Sequence, residues 1–135
     1  MIRAAAPRSV LLFTLLAMLT AAGSCDEAAE GVAVPSGRLV QVQDVITDAP
    51  GPAGATARFR FVVPDLTAGE DASADMQALC DTHALPQIAG MDPAPQQIII
   101  ALASQAVPFG QAAPDVVQFF EAYRPADGTC IWEPF

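Results

Sequence analysis

Apolar and polar residues alternate from Leu39 to Ile46, with Val40 and Val42 set against Gln41 and Gln43, and this period of two predicts a half-buried strand. The proline- and glycine-rich stretch 48–54 breaks the pattern. A second strand is predicted over 57–63, with Phe59, Phe61 and Val63 on one face and Arg58, Arg60 and Val62 on the other, and the two strands form a hairpin with a long loop. Pro64 closes it. The acidic stretch 69–73 leads into a helix with Ser73 as N-cap and Asp75 in the first turn, where the helix dipole favours a negative charge. Met76, Leu79, Cys80 and His83 recur at helical spacing and give that helix one core-facing stripe, and Pro86 ends or kinks it.

The run 97–103 is apolar on both faces and β-branched at its start, as a central strand requires. A short strand over 106–109 is expected next, at an edge or bulge because of Pro108. The segment 116–124 is read as a strand that closes a hairpin around Asp127-Gly128 with 129–135; the rival reading is a helix over 116–123 capped by Asp115. Together these elements predict one small α+β domain, a mostly antiparallel sheet with one main helix packed on it.

The segment ahead of these elements has another character. Arg3 and Arg8 precede an apolar core over 10–19 and the small residues 21–24, the layout of a secretory signal peptide, and the core is shorter than the ~20 residues that span a bilayer. The expected division is a signal peptide over 1–24, a linker over 25–37 and a domain over 38–135. Residues 22–25, Ala-Gly-Ser-Cys, resemble the lipobox of bacterial lipoproteins, in which the cysteine becomes the acylated first residue of the mature chain. Ordinary cleavage after Ala22 or Ser24 is the alternative. Asp26 then resembles the residue that holds such lipoproteins in the inner membrane.

Composition narrows the classes of partner. The chain of 135 residues carries 15 Asp and Glu against six arginines, and export removes Arg3 and Arg8 but no acid. Four arginines, at 38, 58, 60 and 124, cannot neutralise a row of phosphates, so nucleic-acid binding through a basic face is excluded. Any membrane attachment goes through an acyl chain on Cys25, because anionic headgroups repel such a surface.

Few residues invite chemistry. Cys80 and Cys130 are expected to form a disulfide in an oxidising compartment, which leaves Cys25 as the odd thiol that lipidation accounts for. Cys80 and His83 lie one helical turn apart, but a zinc site needs more Cys or His ligands than a chain with one His supplies. Arg58 and Arg60 share a strand face and suit a carboxylate or phosphate, or else serve as partners for Asp44, Glu121 or Glu133. Phe119, Phe120, Tyr123 and Trp132 are expected in the core. No catalytic residue, metal ligand or cofactor motif is assigned.

The stretches 57–64, 74–80, 118–124 and 130–135 together resemble a small family of exported alphaproteobacterial proteins of unknown function. Some of its members carry the label acetolactate synthase, but a thiamine-diphosphate enzyme needs a far longer chain and an acidic metal motif. The resemblance supplies no catalytic residues.

The expected protein is therefore a disulfide-stapled periplasmic domain, tethered by lipid, that acts as a non-enzymatic binding or envelope-assembly module. Its expected partner is an envelope protein or a small anionic ligand met by Arg58, Arg60 or His83. The alternative is a small periplasmic hydrolase or ligand-binding enzyme that uses His83 with a nearby carboxylate.

Overall fold

The computed structural model describes residues 31–135, so the leader, Cys25 and Asp26 lie outside the described residues. Five strands, β1 Gln41–Ile46, β2 Thr56–Val62, β3 Gln97–Ala103, β4 Gln118–Ala126 and β5 Thr129–Glu133, form one sheet in chain order. Neighbouring strands are antiparallel except β2 and β3, which run parallel. The helical segment between them makes this possible, because parallel neighbours need a crossover connection of about a dozen residues or more. The fold is α+β with a mixed, mostly antiparallel sheet.

Alternation along β2 sorts the sheet into two faces. Ala57, Phe59 and Phe61, with Val63 just beyond the strand, are fully buried and meet Ile98, Ile100, Leu102 and Tyr123 under the helix. The helix contributes Met76, Leu79, Cys80, Ala84 and Ile88 to the same core. β3 is buried along its whole length, as a strand with neighbours on both sides and cover on both faces must be.

The helix runs through α1 Ser73–Ala78, a π-helical segment Leu79–Ala84 and α2 Leu85–Ile88. Pro86 does not end it. A proline in a regular helix removes one N–H and collides with the preceding turn, and here the wider π turn comes immediately before it. Ser73 is not the N-cap, which falls on Ala72; the Ser73 N–H and hydroxyl both donate to Asp71 Oδ1, at 2.9 and 2.6 Å. Asp75 is 4% exposed and accepts the N–H of Ser36 at 3.0 Å and its hydroxyl, while Arg38 bonds Glu70 at 2.6 Å. This acidic run is thus a clasp for the chain entering the sheet. Within the segment assigned to the linker, Val32 donates to the Val40 carbonyl, and Val32 and Val34 pack against the core.

Of the expectations for 106–124, one changes and one holds. Residues 106–109 form no strand, because the Val107 carbonyl is taken by two side chains, Gln43 at 2.8 Å and Arg60. Residues 118–126 are strand, not helix, and the turn that follows has positive φ at both Asp127 (51°) and Gly128 (79°), the pattern of a two-residue hairpin.

The disulfide between Cys80 and Cys130 joins the helix to β5, with a Cα separation of 6.1 Å. Asp81 Oδ1 accepts the Cys130 N–H at 2.8 Å, and Gln77 Nε2 donates to the Cys130 carbonyl at 2.9 Å. Both Cys130 backbone groups therefore turn away from β4, so Pro125 stands opposite at a pair that needs no N–H. Helix side chains thereby occupy the outer edge of the last strand.

Candidate functional site

The sheet face away from the helix is built by the other parity of the same strands. Arg58 pairs with Ile99 and Arg60 with Ala101 across β2 and β3, and Ala101 pairs with Phe120 on β4. No helix covers this face among the described residues. Instead the loop after β3 folds back over it, and Val107, Pro108 and Phe109 roof a cavity of about 500 Å³. Ile99 and Ala101 form the floor, Arg58 and Arg60 one wall, and Phe120 and the C-terminal Phe135 the other. That volume lies in the range of small-ligand sites, which are mainly apolar with few polar groups.

Arg60 holds the roof in place. Its guanidinium bonds Asp44 Oδ2 at 3.1 Å and the Val107 carbonyl, and its side chain is only 11% exposed. Arg58 donates through Nη1 to the Ala49 carbonyl and has no carboxylate partner among the described residues. The guanidinium carbons of Arg58 and Arg60 lie 5.9 and 5.6 Å from the centre of the Phe109 ring, so one aromatic face spans both cations. Glu121 and Glu133 are engaged elsewhere, with Tyr123 and Arg124.

His83 lies on the other side of the sheet. Its ring stands edge-on to Phe59 and Phe61, with centroids 6.2 and 5.5 Å away, and its Nε2 meets Gln87 at 2.8 Å. Burial lowers its pKa, and no carboxylate bonds it among the described residues. The three candidate ligand residues thus fall into two places, with both arginines at the cavity and His83 behind the sheet.

The profile described as "Family of unknown function (DUF6497)" matches residues 15–135. The chain belongs to this family. No curated protein and no solved structure matches it. The match to DUF6497 includes every residue of the cavity and both cysteines of the disulfide.

The phenylalanines of the cavity were not legible as site residues. Phe120 is 53% exposed and Trp132 55% exposed, so the expected aromatic core cluster divides, leaving Tyr123 buried. Strand parity separates Phe120 from Tyr123, with residues 119, 121 and 123 on the helix side of the sheet and 118 and 120 on the cavity side, whereas Trp132 pairs with Tyr123 on the helix side and is exposed there. Tyr123 sits beneath the helix with its hydroxyl on Glu121, and burial together with that carboxylate raises its pKa.

Proposed function

We propose that this protein is an exported, lipid-tethered binding module of the periplasm, and that it takes a small ligand on the sheet face opposite its helix. One observation carries the reading: an apolar-floored cavity walled by an arginine pair, in a chain that otherwise has an excess of acids. Three exposed phenylalanines, at 109, 120 and 135, gather around it, and contiguous exposed apolar surface of this kind marks interaction sites.

Export and tethering are supported by the apolar core over 10–19 and the lipobox-like residues 22–25. Cysteine parity adds to this: Cys80 and Cys130 are joined, so Cys25 is the thiol left to be acylated. Asp26 after it favours retention at the inner membrane.

Mass spectrometry of the protein recovered from its own envelope tests both halves. Under denaturing conditions the expected mass begins at Cys25 and includes acyl chains, with a gain of about 2 Da on reduction for one disulfide. Under native conditions the expected spectrum carries an additional small-molecule mass that Ala101→Trp, which fills the cavity floor, removes. An unlipidated mass overturns the tether; a bound mass that persists in Ala101→Trp overturns the site.

A further inference from the structure

We infer that the cavity takes a monoanionic amphiphile, a carboxylate with a short apolar body, whose head is read by Arg58 and whose body lies on Ile99 and Ala101 beside Phe120. This deepens the binding role proposed above and rests on it.

Charge accounting at the wall singles out Arg58. Arg60 is already neutralised by Asp44 and committed to the Val107 carbonyl, so it is part of the scaffold. Arg58 spends one donor, Nη1, on a neutral carbonyl and has no other hydrogen-bond partner among the described residues, its Nη2 lying beside Gly51 at the end of the wall. The remaining guanidinium N–H groups form a two-donor fork with the spacing of a carboxylate. One uncompensated cation matches one negative charge. A phosphate monoester, at about −1.5 to −2 near neutral pH, brings more charge than the one unpaired arginine of the wall offers.

The rest of the cavity specifies the body. Floor residues Ile99 and Ala101 are aliphatic, Phe120 and Phe135 stand on the opposite wall, and Phe109 lies over both guanidiniums. Gln111 and Gln118 are the other polar side chains on the lining besides the arginines, and neither is charged. The site therefore pairs one charged end with an apolar bed, the polarity of an amphiphile rather than of a sugar or a polyanion.

The test is calorimetric titration of the processed full chain with octanoate, octan-1-ol, octyl phosphate and octyltrimethylammonium. Octanoate is expected to bind with 1:1 stoichiometry, about 10-fold tighter than octanol, the range of a charge-assisted pair of hydrogen bonds. Octyl phosphate is expected to bind more weakly than octanoate, and the cation more weakly than the alcohol. Arg58→Gln should remove the roughly 10-fold preference for acid over alcohol while leaving octanol affinity within about twofold, a result that also shows the variant is folded. Arg58→Lys, which keeps charge but loses the fork, should fall between them.

Equal binding of octanoate and octanol, or an unchanged preference in Arg58→Gln, overturns the carboxylate assignment and leaves the cavity as a binding site. Tighter binding of octyl phosphate overturns the monoanion assignment. Absence of binding by all four overturns both this inference and the small-ligand role it rests on.

Discussion

Asp81 Oδ1 accepts the backbone N–H of Cys130 at 2.8 Å, next to the disulfide that joins Cys80 to Cys130. The covalent and the polar link act on the same pair of elements, so the helix is fixed to the last strand twice. For a sequence separation of 50, the chain-entropy account gives the disulfide about 4 kcal/mol. The double variant Cys80→Ala/Cys130→Ala should lose roughly that much in urea unfolding. Asp81→Ala should cost about 1–2 kcal/mol by leaving the Cys130 N–H unpaired, and Asp81→Asn, which still offers an oxygen, less.

The Glu70 carboxyl is held down to about 2 by the hydrogen bond from Arg38 and by those from Thr67. Its folded-state pKa lies below the unfolded value of 4.5, so its contribution to stability is fully present above pH 4.5 and is lost as pH falls toward 2. Thermal unfolding of wild type and Glu70→Gln should therefore differ most at neutral pH, and the two curves should converge across that interval. A difference that stays constant with pH would assign the effect of Glu70 to packing.

His83 titrates in the opposite chemical sense but with the same direction of stability. Burial disfavours its charged form and lowers its pKa below 6.5, so the unfolded chain takes up a proton before the folded one does. Stability should fall as pH drops from above 6.5 through the lowered pKa. The Cε1 proton of His83 should titrate with a midpoint below 6.5, and His83→Gln should remove this part of the pH dependence.

Arg60 and Arg58 share a strand face but differ in what they hold. Arg60→Met removes the partner of Asp44 and one of the two donors on the Val107 carbonyl, with an expected cost of about 1–3 kcal/mol and faster amide exchange through the loop over 104–117. Arg58→Gln should change stability by less than about 0.5 kcal/mol. Comparable losses in both variants would place Arg58 in the scaffold.

Much of this architecture is legible along the chain, because burial imposes a period. Phe59, Phe61 and Val63 reveal a strand face by alternation, whereas the alternation of Val40 and Val42 does not carry through β1, where Val42 is exposed and the register shifts before Asp44; residues 97–103 reveal a central strand by being apolar on both faces, and Asp127-Gly128 announces its turn. The parallel pairing of β2 with β3 is not legible in that way, since a period says which face is buried and not which strand is next to it. The roof over the cavity escapes for a related reason: Val107 and Phe109 alternate as a strand would, yet side chains of Gln43 and Arg60 claim the backbone of Val107. The site then follows from parity. Arg58, Arg60 and Phe120 converge only once the register sets Arg60 beside Ala101 and Ala101 beside Phe120.

The most direct test of the ligand face is a backbone amide map of the protein by NMR with and without octanoate. The expected shifts saturate and are confined to residues 58–60, 99–101, 107–111 and 118–120, with the helix over 73–88 unmoved. Shifts centred on the helix side, around Gln77 and Trp132, or no shifts at all, would contradict it.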